Sequence, residues 1–341
     1  MKYLLPDKQN IFLRASVSDV CNFSCRYCAT DLGMENHTPE CYKNTLLGAY
    51  EYLRNMKMIA QHGFKNISFT GGEPLLNPHF SIIAKGCRSL FETTEITTNA
   101  TNLINNIDTV RKYIDVLKIS IDALDPALAA ATARNPAAAR TPQIIEQCCR
   151  EGVSTIGLNF VYMKCNQGEL PKLIDFAASL KRRYNTDIYI SILDLYYSQG
   201  NRQFWEEQFV DLSQLREKLE RDGKEIHRRL RIGCDSYNFT DNGVVVNMKD
   251  SISCTHRAEI CDRCTEYCQE GIYSLKHSAS GWISVCPTNN PEYGSLLGGG
   301  VSEVKAHDMI DKYVEILNFI RRSDQTGDAF KKMRNLVTVY E

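Results

Sequence analysis

Cys21, Cys25 and Cys28, in the run Cys21-Asn22-Phe23-Ser24-Cys25-Arg26-Tyr27-Cys28, put three thiols within one tight loop. Thiolates are the usual protein ligands of a [4Fe-4S] cluster, so a C-x3-C-x2-C spacing ligates three irons and leaves the fourth open to a small molecule. Spacing alone also admits a closed zinc or iron-sulfur site with a structural role. Such a site needs a fourth cysteine or histidine, and His37 and Cys41 are close enough in sequence to supply it.

A second motif, Gly71-Gly72-Glu73-Pro74, follows a strand pattern. Its glycines permit close backbone approach to a ligand, and Glu73 offers a carboxylate for an ammonium group, although the four residues alone read as a turn. Further polar residues end later strand patterns: Thr98 and Asn99, then Ser120 and Asp122, which alternate inward, then Asn159. In this order the motifs resemble the radical S-adenosylmethionine (SAM) superfamily. The resemblance implies that SAM chelates the open iron and that Tyr27, Gly71, Gly72, Glu73 and Pro74 help to hold it, with Glu73 on its amino group. It further implies that Thr98, Asn99, Ser120 and Asp122 face SAM, and that Asn159 serves its ribose and adenine side. Reductive cleavage of SAM to a 5′-deoxyadenosyl radical, hydrogen abstraction from a substrate, and a flavodoxin or ferredoxin electron donor come with the same resemblance.

Cys234, Cys254, Cys261, Cys264, Cys268 and Cys286 form a second group, with Ser278 to Gly281 as a turn and Trp282 to Val285 as the returning strand of a hairpin. This pattern resembles the auxiliary-cluster hairpin of SPASM and twitch extensions. It implies an auxiliary [4Fe-4S] cluster on Cys261, Cys264, Cys268 and Cys286, with Cys254 in reserve; zinc held by four cysteines has similar spacings. Across residues 11–290 the chain resembles the GTP 3′,8-cyclase group of molybdenum cofactor synthesis. It departs from that group at Gly271 to His277, where an arginine-rich stretch is expected and Lys276 is the firm cation, and in ending Val-Tyr-Glu341 without Gly-Gly. Cys87, Cys148, Cys149 and Cys165 read as buried thiols.

These residues need a scaffold. Strand patterns at Ile11–Val17, Asn66–Thr70, Glu95–Thr98, Val116–Ile121, Ser154–Met163 and Ile188–Leu195 alternate with helical spacing at residues 44–63, 78–90, 104–113, 141–151 and 170–184. Six such units predict an α/β fold, an open (β/α)6 partial TIM barrel with ligands at the carboxyl ends of its strands. The expected organisation is a radical SAM core over 1–210, a small twitch-like auxiliary-cluster domain over 211–300 that begins with a helical segment over Leu212–Arg231, and a helical segment over 301–341. Later strand ends offer Asp194, Tyr162 and Lys164 as catalytic candidates, Asp194 because a carboxylate there could accept a proton. No peptide-binding extension precedes Ile11, which favours a small biosynthetic molecule as substrate, with a ribosomal peptide as the alternative.

Composition sets outer bounds. The 341 residues carry a net charge of -1, are 43% hydrophobic and include 14 cysteines. No dense basic patch suggests nucleic acid, no 18-residue apolar run suggests a membrane span, and the cysteine count suits metal ligands in the reducing cytoplasm. An iron-sulfur or zinc carrier without catalysis is the competing class; it would need no SAM pocket.

Overall fold

The computed structural model describes residues 11–28, 47–229, 236–251, 254–262, 268–286, 294–297 and 300–324. Six strands, β1 (Phe12–Ser16), β2 (Asn66–Thr70), β3 (Thr93–Thr98), β4 (Val116–Ser120), β5 (Thr155–Val161) and β6 (Asp187–Leu193), pair in parallel in chain order. Helices connect them: α1 (Ala49–Gln61), α2 (Phe80–Arg88), α3 (Ile107–Tyr113), α4 (Pro126–Ala133), α5 (Thr141–Arg150) and α6 (Glu169–Arg183). β1 and β6 do not pair, so the six-stranded array is the open partial barrel that the alternation predicts.

Alternation along the strands decides what faces what. In β3 and β4 the buried positions are Thr94, Ile96, Thr98, Leu117 and Ile119, while Glu95, Thr97, Lys118 and Ser120 keep partial access to the other face. The buried face meets α1 through Tyr52, Met56 and Ile59, and α2 through Phe80, Ile83 and Ala84. Phe69 and Phe80 pack edge to face at 5.6 Å, an arrangement aromatic quadrupoles favour. Cys87, Cys148 and Cys149 are buried here as expected, whereas Cys165 is exposed, because it lies in a short 3-10 helix (Lys164–Asn166) beyond the end of β5.

The sheet continues past both barrel edges. After α7 (Arg202–Gln208) and α8 (Leu212–Arg221) come β7 (His227–Arg229), β8 (Ser236–Asp241) and β9 (Val244–Lys249); β9 joins β6 in parallel and β8 and β7 follow antiparallel. The helix expected over Leu212–Arg231 therefore stops early. Asp222 and Gly223 close it, the glycine at φ +81°, and β7 begins four residues later. Asn242 (φ +48°) and Gly243 (φ +76°) make the two-residue turn of the β8–β9 hairpin. On the other edge, β11 (Ser274–His277) pairs in parallel with β1, and β12 (Trp282–Ser284) and β13 (Gly294–Leu296) follow antiparallel. The expected hairpin around Gly281 is thus an extension of the barrel sheet. β10 (Cys254–Arg257) pairs instead with β14 (Arg321–Asp324), just after α9 (Glu303–Asn318), which buries Ile310, Tyr313, Val314 and Leu317 against α1 and β11.

Candidate functional site

The cysteine loop leaves β1 and is docked at once. Gly72 N–H donates to the Ser18 carbonyl at 2.7 Å and Glu73 N–H to the Val20 carbonyl at 2.8 Å. A Cβ on Gly71, whose φ is +132°, would stand 2.2 Å from the Ser18 oxygen, and one on Gly72 would stand 2.3 Å from the Val20 oxygen. Both glycines are therefore needed for backbone to meet backbone, a demand additional to the ligand approach expected from sequence.

Glu73 is buried, and its carboxylate is largely committed to the protein. Oε1 accepts from Thr98 Oγ1 at 2.6 Å and Leu75 N at 3.1 Å, and Oε2 accepts from Asn99 N at 2.7 Å. Burial pushes its pKa up against these hydrogen bonds. A carboxylate has about four acceptor positions, so one stays open to an ammonium group.

Cys21, Cys25 and Cys28 line one cavity of about 220 Å³ together with Tyr27, Gly71, Gly72, Glu73, Thr98, Asn99, Ser120 and Asp122. None of the three is in a disulfide. Among the described residues no three His, Cys, Asp or Glu side chains gather as tightly as a single ion requires; the thiols instead ring a space, which fits a cluster in which each thiolate takes its own iron. Burial pushes the Cys25 thiol up to about 12, with Asp122 adding to it, so its ionisation calls for a cation alongside.

One wall comes from residues that sequence reasoning passed over. α4 receives the loop: Ser24 N–H donates to the Ala133 carbonyl at 3.3 Å and Arg26 N–H to Thr132 at 2.9 Å, while Phe23 packs on Ala123, Ala129, Ala133 and Ala138. α7 packs on the cysteine loop outside the cavity lining: Arg26 lies over the Phe204 ring and Asn201 Nδ2 donates to the Tyr27 carbonyl at 3.1 Å. Asp125-Pro126, an N-cap followed by proline at the first helical position, was the available signal for α4.

Tyr27 and Asp122, both expected to face SAM, also hold each other: the phenol donates to Asp122 Oδ2 at 2.7 Å. Burial raises Asp122 to about 6. Asn159 sits beside Ser120 in the strand register, outside the cavity lining, and Pro74 is buried in the turn after Gly72 and Glu73. The three catalytic candidates are not brought to the cavity. Tyr162 is buried near Phe160, Lys164 is exposed, and Asp194 is buried where Ser251 Oγ and Gln269 Nε2 donate to it. Trp205 packs beside them, stacked on Phe209 with its Nε1 donating to the Leu195 carbonyl at 2.9 Å.

Of the second cysteine group, Cys234 and Cys264 lie outside the described residues. Cys261 ends a short 3-10 helix, Cys268 is buried with its Sγ accepting from Gly271 N at 3.3 Å, and Cys286 follows β12. Because β12 runs antiparallel to β11 and β1, Cys286 leaves the sheet at the end where β1 begins, while Cys21 follows the end where β1 finishes. Lys276, read from sequence as the cation here, is buried against Glu270, which also takes Arg14 from β1 and Tyr273. Burial opposes ionisation of Glu270, but Lys276 and Arg14 pull it down to about 2. Arg14 was missed, although it lies on the same face of β1 as Ser16.

Residues 15–177 match the radical SAM superfamily. The chain is 26% identical to the GTP 3′,8-cyclase of Listeria welshimeri over 282 residues, 81% of this chain and 78% of that protein. It is 24% identical to a probable GTP 3′,8-cyclase of Pyrococcus abyssi over 307 residues, 89% of this chain and 94% of that one. In fold it is similar to Streptococcus suis SuiB bound to precursor peptide SuiA, at a TM-score of 0.55 and 16% identity, covering 93% of this chain but 66% of that chain. The chain carries a radical SAM domain and is an enzyme of that class, whose cofactors are SAM and a [4Fe-4S] cluster. Within the class it is close to the GTP 3′,8-cyclase-like group.

Proposed function

We propose that Cys21, Cys25 and Cys28 hold the cluster, that SAM sits against Gly71, Gly72 and Glu73, and that the enzyme abstracts hydrogen from a biosynthetic substrate. The supporting observation is the single cavity shared by the three thiols and that glycine-glutamate wall. When bound, the cluster and SAM would supply reductive cleavage and hydrogen abstraction from substrate, with the electron coming from a flavodoxin or ferredoxin donor. Glu73 orients the amino group through its remaining acceptor position, and the Tyr27–Asp122 pair closes the loop over the bound molecule. Cys261, Cys264, Cys268 and Cys286 would hold an auxiliary [4Fe-4S] cluster, which would supply redox chemistry for an oxidation, cyclisation or cross-link. The reducing cytoplasm suits both clusters.

The substrate class is a small molecule. Arg14 and Lys276, with Glu270 between them, leave one net positive charge on the inward face, which suits an anionic group. A ribosomal peptide is the second reading, favoured by the fold shared with the SuiA-bound protein. The test is anaerobic reconstitution with iron and sulfide counting, then dithionite, SAM and mass spectrometry for 5′-deoxyadenosine. About eight irons per chain, falling to about four in Cys268→Ser/Cys286→Ser, with 5′-deoxyadenosine formed, is the expected result. Zinc in place of iron, with no 5′-deoxyadenosine, would support the carrier reading instead.

A further inference from the structure

Asn99 lies one residue beyond β3, and its side chain has one orientation available. Its Oδ1 accepts from Thr101 N at 3.0 Å and from Thr101 Oγ1 at 2.6 Å. With the oxygen engaged by two donors, the amide nitrogen faces the cysteine loop: Nδ2 donates to Asn22 Oδ1 at 2.8 Å and stands 3.7 Å from Cys21 Sγ. Amide orientation is assigned from its partners, and here four contacts agree on one assignment. Asn22 is fixed in turn, its Nδ2 donating to Thr101 Oγ1 at 2.8 Å and its carbonyl accepting from Asn135 Nδ2 at 2.8 Å. Phe23 N–H supplies a second donor to the same sulfur at 3.4 Å.

We infer that Asn99 is a positioning residue that sets the reduction potential of the cluster through an N–H···S hydrogen bond to the Cys21 thiolate, with Thr101 and Asn22 holding the amide in place. The inference rests on the proposal that Cys21, Cys25 and Cys28 ligate that cluster. Reduction adds one electron, and part of its charge falls on the ligating sulfurs. A donor aimed at one of them stabilises the more negative state and raises the potential. Asn99 also contacts Glu73 through its backbone N–H alone, so side-chain substitution leaves that hydrogen bond in place.

The test uses the full chain, reconstituted as wild type, Asn99→Ala and Thr101→Val, with iron counted before an EPR-monitored redox titration. The signal that changes on adding SAM identifies the cluster. Asn99→Ala is expected to keep its iron and to shift the one-electron reduction equilibrium about tenfold toward the oxidised state, a fall of about 59 mV. Thr101→Val keeps the amide and its contact with the backbone N–H of residue 101 but removes the hydroxyl that donates to Asn99 Oδ1 and accepts from Asn22, and is expected to give a smaller fall in the same direction. Equal midpoints in wild type and Asn99→Ala overturn the inference. Should Asn99→Ala lose its iron, Thr101→Val decides: a lowered midpoint upholds the inference, and an unchanged midpoint or lost iron overturns it. Wild-type chain that binds no SAM-responsive cluster overturns the underlying ligand assignment, a result distinct from unchanged midpoints.

Discussion

At Gly72 the constraint on residue type comes from the protein's own chain, since its missing Cβ is what lets the Gly71-Gly72-Glu73 segment dock on residues 18–20. Gly72→Ala is expected to destabilise the fold by about 1–3 kcal/mol and to lower iron retention, measured by thermal melting and iron content. Asp194 shows the reverse relation between sequence and role. Its strand-end position suggested proton transfer, but it is buried beside Ser251 and Gln269 and held at about 7 by burial, against 3.8 for a free aspartate. The fold thus favours its neutral form, so its contribution is fully present below about pH 4 and is lost as pH rises through about 7. Asp194→Asn keeps an acceptor for both neighbours. It is expected to raise stability at pH 8 by about 1–3 kcal/mol and to change little at pH 4, checked by urea melts at both values. The cysteines and the glycine motif were legible because their chemistry depends on spacing. The partners of Asp194 were not, because they lie more than 50 residues away.

At the level of elements, the six parallel strands were legible because a buried face imposes apolar residues at every second position. α4 was not, since its alanine-rich sequence has no apolar stripe, and only Asp125 and Pro126 mark its start. Its C-terminal carbonyls nonetheless hold Ser24 and Arg26. Asp125→Ala, which removes the acceptor for Leu128 N–H at 2.8 Å, should cost about 1 kcal/mol. Hydrogen exchange should quicken at the Ser24 and Arg26 amides while β2 and β3 stay protected. The Asn242-Gly243 turn was an available signal that went unused. β7, three residues long, was beyond periodicity in any case, whereas β12 was legible as the returning strand of the hairpin it makes with β11.

For the whole molecule, strands from residues 211–300, the segment expected to form the small auxiliary-cluster domain, extend both edges of one sheet. Pairing Phe12 with Ser274 makes this a fold of distant contacts, and loop closure on that scale slows folding. In pulse-labelled refolding from urea, the amides of Ser274 to His277 should gain protection only in the slowest phase. The same pairing has a consequence in the cell. On the ribosome, β1 and the three thiols emerge before the strand that completes their edge of the sheet, which follows roughly 250 residues later, a wait of about 10–50 s at ordinary rates of synthesis. Throughout that interval the β1 edge of the sheet is unpaired, although every residue that lines the thiols' cavity, up to Thr141, has already been made. The pocket can therefore receive iron while the chain is still being synthesised, and the yield of active enzyme depends on how well nascent chains are kept reduced.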